Sequence, residues 1–181
     1  MKMMQKEGIE WVRKRMYPLY KPFIEYFHRR KVHPHQLTAF SLLFGILAFV
    51  MLFENMVLFV FFGLIHLFFD GLDGAYARKT GKVTVEGELF DKGTDFFITI
   101  LLVSKTIFFY SSPIYLIGFG IYILENIIFF GSMLESPVLS FRTMTIFLLA
   151  LHMYSFLLLL LGIVGTFGLV YQIQYYLGGK K

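Results

Sequence analysis

Four aspartates, Asp70, Asp73, Asp91 and Asp95, stand in a stretch, DGLDGAYARKTGKVTVEGELFDKGTD, that runs between two apolar segments. Asp70 and Asp73 are three residues apart and Asp91 and Asp95 four apart, and each spacing puts its pair on one face of a helix. Two helices that descend and return through a short loop can therefore aim all four carboxylates at one point. Left alone in a poorly solvated place these charges repel one another, and acids clustered among membrane helices are costly and usually functional. Two divalent cations balance four negative charges. Oxygen-only donors favour Mg²⁺ or Mn²⁺, and paired metals suit displacement at phosphorus because they stabilise both the attacking and the leaving oxygen.

The residues between the acids fit a nucleotide diphosphate. Gly74 and Gly87 leave no side chain beside the carboxylates, so a substrate or an opposing backbone can come close. Arg78, about 12 Å beyond Asp70 along a helix, can meet a phosphate with its planar fork. Ala77 lies on the face of Asp70, where a bulky side chain would fill the cleft. Plainer readings stand beside these: glycines in membrane helices are packing devices, and an arginine at a span end serves the positive-inside rule.

The elements that must hold these residues are membrane helices. The chain has 181 residues, 57% of them hydrophobic and 16% charged, with a mean hydropathy of +0.66. Its apolar runs are long enough to cross a hydrocarbon core of about 30 Å. We expect an all-α integral membrane protein of six transmembrane helices preceded by an amphipathic interfacial helix. The spans are expected near residues 35–53, 56–77, 88–110 and 114–132, the last after the turn Ser111-Ser112-Pro113. The continuous apolar stretch 138–177 divides into two near His152. The chain has no cysteine, which excludes disulfides and thiolate sites.

The first 33 residues differ from the rest. They carry nine of the 17 Lys and Arg, interleaved with Trp11, Tyr17, Tyr20, Phe23, Tyr26 and Phe27. No apolar core or cleavage site follows, so a signal peptide is not indicated. A basic, aromatic segment containing Pro18 and Pro22 reads as a kinked interfacial helix set against anionic lipid, or as a topology signal only; both keep it cytoplasmic. The domains are then 1–33, a basic cytoplasmic interfacial helix; 34–177, the six-span domain; and 178–181, a cytoplasmic tail. The loops near Glu54 and Ser111 lack Lys and Arg, which puts them outside and the loop Arg78 to Lys92 inside. This expects a multi-pass protein of the cell membrane with both termini and the active site facing the cytoplasm.

Written out, the acidic stretch is D-x2-D-G-x2-A-R-x8-G-x3-D-x3-D, carried by Asp70, Asp73, Gly74, Ala77, Arg78, Gly87, Asp91 and Asp95. It resembles the signature of the CDP-alcohol phosphotransferases, and the expected topology resembles that family over nearly the full chain. The resemblance implies transfer of a substituted phosphoryl group from a CDP-alcohol to a second alcohol, with release of CMP. It implies that Asp70, Asp73 and Asp91 hold two ions, Mg²⁺ or Mn²⁺, and that Asp95 shares in this and acts as the catalytic general base. It also implies that Asp70, Gly74, Ala77, Arg78 and Gly87 shape the nucleotide site, and that the protein is a homodimer. The donor expected is a CDP-lipid, CDP-diacylglycerol or CDP-archaeol, drawn from the bilayer, and the acceptor a small polar alcohol. No nucleic-acid partner is expected.

Outside the motif, His33-Pro34-His35-Gln36-Leu37-Thr38 resembles the family's entry to the first span, with His35 where asparagine is usual. Thr38 is a candidate for the nucleotide site; a helix-start role for this segment is the alternative. Arg142 resembles a position where members that use phosphorylated acceptors keep a cation, so it is the candidate acceptor-binding residue; snorkelling to the interface is the alternative. It points to inositol phosphate or glycerol phosphate, although Phe96 after Asp95 departs from the inositol-phosphate branch, and serine or another uncharged alcohol stays open. Glu125 and Asn126 read as interhelical hydrogen-bonding partners, and His66 as a packed neutral histidine. A non-enzymatic divalent-cation transporter is the rival class. It has no use for Ala77 and Arg78 at these spacings, and an arginine beside the site opposes cation entry.

Overall fold

The computed structural model describes residues 2–110, 114–132 and 141–177, and they are almost wholly helical. Seven helices follow in order: α1 (Lys2–Arg29), α2 (Pro34–Met51), α3 (Met56–Thr80), α4 (Val85–Tyr110), α5 (Ile114–Ser132), α6 (Phe141–Ala150) and α7 (Tyr154–Leu177). Four of them, α2, α3, α4 and α7, are long and apolar enough to cross a membrane. The apolar parts of α5 and α6 are shorter, Tyr115–Gly131 and Phe141–Ala150. At 1.5 Å per residue α6 extends about 15 Å, half of a hydrocarbon core. Four of the six expected spans thus correspond to long apolar helices, and the other two to shorter apolar ones that fall below that length. Ser111-Ser112-Pro113 and the tail 178–181 lie outside the described residues.

The chain forms two compact units, Met1–Asp95 and Phe96–Lys181. In the first, α2 and α3 pack along one another and α1 lies on α3. Phe44 stacks on Phe69 at 5.8 Å with nearly parallel rings, and Phe40 approaches the same ring. Ser41 and His66 tie the two helices at the buried centre: the ring Nδ1 lies 2.8 Å from the Ser41 carbonyl oxygen, and the Ser41 hydroxyl donates to the His66 carbonyl at 3.0 Å. His66 is fully buried and holds helices together, as the sequence suggests. The α1 contact is an aromatic and aliphatic cluster of Tyr20 and Ile24 with Leu37, Leu72, Ala75 and Tyr76, closed by the Tyr76 hydroxyl donating to the Val32 carbonyl at 2.8 Å.

Local chemistry sets the ends of α3 and α4. Asn55 caps α3 by accepting from the Leu58 amide. Gly81, at φ 67°, closes it in the left-handed conformation that glycine adopts without strain. This extends α3 past the expected end at 77, so Arg78 and Lys79 are its last-turn cations. The α4 start moves from 88 to Val85, because the Thr84 hydroxyl accepts from the Gly87 amide at 3.0 Å, with Glu86 and Glu88 in the first turn.

In the second unit α5 and α7 pack closely. Gly162, Gly165 and Gly168 repeat every three residues on α7. A Cβ at Gly165 would lie 3.0 Å from the Tyr122 backbone, and one at Gly118 3.1 Å from Gly162. Small residues bring membrane helices to this distance. Glu125 is buried against Gly168, and the Gln172 amide donates to the Glu125 carbonyl at 3.2 Å. Glu125 thus meets α7 as expected, whereas the Asn126 side-chain amide donates within α5, to the Tyr122 carbonyl at 2.9 Å. The break expected near His152 falls at 151–153, with His152 itself at φ 58°.

Candidate active site

Asp70 sits in the third-last turn of α3, and Asp91 and Asp95 occupy successive turns of α4. Their carboxylates converge: one oxygen from each lies within 4.8 Å of the others. All three are half-buried. Asp73 stands outside this set. It is 4% exposed, Thr38 faces it, and its Oδ2 has no hydrogen-bond partner among the described residues. Three hard oxygen donors within one ion's reach, with a fourth buried carboxylate oxygen nearby, fit a divalent cation such as Mg²⁺ or Mn²⁺.

Beside the acids opens a cavity of about 500 Å³, within the range of small-molecule sites. Asp70, Gly71, Gly74, Arg78 and Lys79 of α3 line it, as does Asp91 of α4. Arg78 extends back along its helix, as helical side chains do, so that its Nη1 comes within 3.2 Å of where a Gly74 Cβ would stand. The 12 Å between Asp70 and Arg78 along the axis is thereby shortened by a turn. Gly74 makes room for a guanidinium; at Gly87 a Cβ would press on the Thr84 hydroxyl at 3.0 Å and make ordinary contact with the His35 ring at 3.4 Å. His35 also stacks on His33 and meets Phe90 edge-on. Ala77 is half-buried and does not line the cavity.

The model of one protein family, CDP-alcohol phosphatidyltransferase, matches residues 31–174. The chain belongs to the CDP-alcohol phosphatidyltransferase family. It is therefore a transferase of phosphate-containing groups, acting on a CDP-alcohol and a second alcohol in phospholipid synthesis. No match to a curated protein or to a solved structure was found. In this CDP-alcohol phosphatidyltransferase the matched region takes in every aspartate of the motif, Thr38 and Arg142.

Sequence reasoning missed the contribution of α1. Arg13, Met16, Tyr17 and Tyr20 of α1 also line the cavity. The signal was present: positions 13, 17, 20, 24 and 27 recur at helical spacing and mark one face. Burial and the Asp70 carboxylate push the Tyr20 phenol above its ordinary value; Arg78 opposes them and Asp73 adds to them. Arg142 lies in the second unit, in the first turn of α6, at 5% exposure. That burial is unlike a side chain snorkelling to the interface.

Proposed function

We propose that this transferase is a phospholipid synthase that moves the diradylglycerol-phosphoryl group of a CDP-lipid onto a small polar alcohol. The acceptor oxygen forms a bond to the phosphorus that carries the lipid, the bond from that phosphorus to CMP breaks, and the hydroxyl proton goes to a carboxylate. The observation that carries this reading is the convergence of Asp70, Asp91 and Asp95 at the edge of a cavity that also holds Arg78.

In this reading Asp70, Asp91 and Asp95, with Asp73 beside them, hold two divalent ions. The chemistry that bound ions supply is charge neutralisation on the diphosphate and the departing CMP. Asp95 also accepts the hydroxyl proton, a task for a carboxylate within hydrogen-bond reach. Arg78 orients a phosphate, and Gly74, Gly87 and Thr38 shape the nucleotide site, with Ala77 keeping that face of α3 slim. Arg142 binds the phosphate of an acceptor such as inositol phosphate or glycerol phosphate; its burial supports a fixed, desolvated guanidinium. The lipid chains stay in the bilayer at the inner leaflet. The helices α2 to α7 form six spans, with α1 on the cytoplasmic surface and both termini inside, and the protein works as a homodimer.

The test is CMP release from CDP-diacylglycerol and CDP-archaeol by detergent-purified protein with Mg²⁺ or Mn²⁺. The acceptors are inositol phosphate, glycerol phosphate, inositol, glycerol and serine, with Asp91→Asn as control. Metal-dependent release stimulated by one acceptor names the product. Release by none, from protein shown to be folded, defeats the reading.

A further inference from the structure

Arg13, Arg78 and Lys79 line the same cavity. Arg78 and Lys79 come from the last turn of α3, Arg13 from α1. None of the three is in an ion pair with a described residue. Like charges gathered in a half-enclosed space repel, and an anion that meets all of them relieves this. The cavity's acids, Asp70 and Asp91, belong to the carboxylate convergence; Asp91, with Asp73, also attracts the Arg78 guanidinium, while Arg13 repels it.

The position of Arg13 is set by packing. Tyr20 and Ile24 are buried in the α1–α3 core, and Arg13 is seven residues, two turns, before Tyr20 on the same face. Its neighbour Arg15 is differently placed, with its guanidinium over the Trp11 ring at 5.2 Å, and does not line the cavity. One cation out of the run Arg13-Lys14-Arg15 is thus directed to the cavity.

We propose that α1 is a wall of the substrate site and that Arg13, with Arg78 and Lys79, binds a phosphate group of a substrate. The inference rests on the cavity being the place of the proposed transfer. The phosphate is that of the nucleotide donor or that of a phosphorylated acceptor. The amino-terminal helix then does more than rest on lipid.

The test is calorimetric titration of the full-length protein in detergent, with Mg²⁺, using CDP, glycerol phosphate and inositol phosphate as separate ligands. Arg13→Gln is compared with Arg13→Lys and with Arg15→Gln, each shown to melt like the wild type. Arg13→Gln is expected to weaken one of these ligands by about tenfold, the size of one charge-assisted hydrogen bond, with Arg13→Lys intermediate and Arg15→Gln unchanged. Weakening of CDP assigns the phosphate to the donor, and weakening of glycerol phosphate or inositol phosphate assigns it to the acceptor. Equal binding by wild type and Arg13→Gln overturns the inference and leaves the transfer reading standing, as does an equal loss in Arg15→Gln. A wild type that binds none of the three overturns both.

Discussion

The Tyr20 hydroxyl occupies the space that a side chain at position 71 would need: a Cβ built on Gly71 overlaps it, and the ring carbon behind it lies 2.9 Å away. Gly71 is what lets α1 lie down on α3 beside Asp70. Gly71→Ala is expected to cost about 1–3 kcal/mol, as overpacking does, read as a lower melting temperature in detergent. Tyr20→Phe in the same chain should recover part of this, because the hydroxyl is the nearest contact. Additive losses would mean that the two residues do not meet.

The raised pKa of Tyr20 has a consequence for alkaline stability. Above about pH 10, its ordinary value, the phenol ionises in the unfolded chain but stays protonated in the folded one. The folded state then binds more protons, so stability falls as pH rises. Wild type should lose melting temperature between neutral pH and pH 11 more steeply than Tyr20→Phe; parallel curves would remove Tyr20 from the titration.

Asp95→Asn is expected to lower CMP release by at least about a hundredfold, the usual contribution of a general base, while CDP binding changes little. Equal loss of turnover and binding would make Asp95 a ligand holder and not a base.

Chelation of divalent ions should abolish CMP release, and Mg²⁺ or Mn²⁺ should restore it. A ligand that binds only the folded state also raises the melting temperature. Saturating Mg²⁺ should therefore stabilise the wild type, and Asp91→Asn should blunt the effect. A wild type indifferent to Mg²⁺ in both measurements would deny the three aspartates a metal.

On α7, Gly165→Val should destabilise the second unit by about 1–3 kcal/mol, because its side chain would run into the Tyr122 backbone. Gly120→Ala is the comparison: nothing lies within 4 Å of a Cβ there, and little change is expected. Similar melts for both variants would mean that α5 and α7 are not held by backbone approach.

What the sequence determined by itself was whatever depends on local spacing. Runs of apolar residues fixed α2, α3 and α4 to within a few positions, and the break at His152 could be placed because a long apolar stretch must turn somewhere. The intervals of three and four put Asp70 with Asp73 and Asp91 with Asp95, and the motif they belong to identified the family. Helix ends were less legible, since Thr84 acts through one capping bond and Gly81 through its left-handed conformation, neither of which hydropathy registers. Only the tertiary structure decided which acids meet. Asp73 was grouped with the rest by spacing, yet packing turns it toward Thr38 and leaves Asp70 with Asp91 and Asp95. Only the tertiary structure brought Arg13 into the cavity, because a helix face has no partner until another helix packs on it. The meeting of Tyr20 with Gly71 spans fifty residues of chain, and no local pattern encodes a contact at that separation.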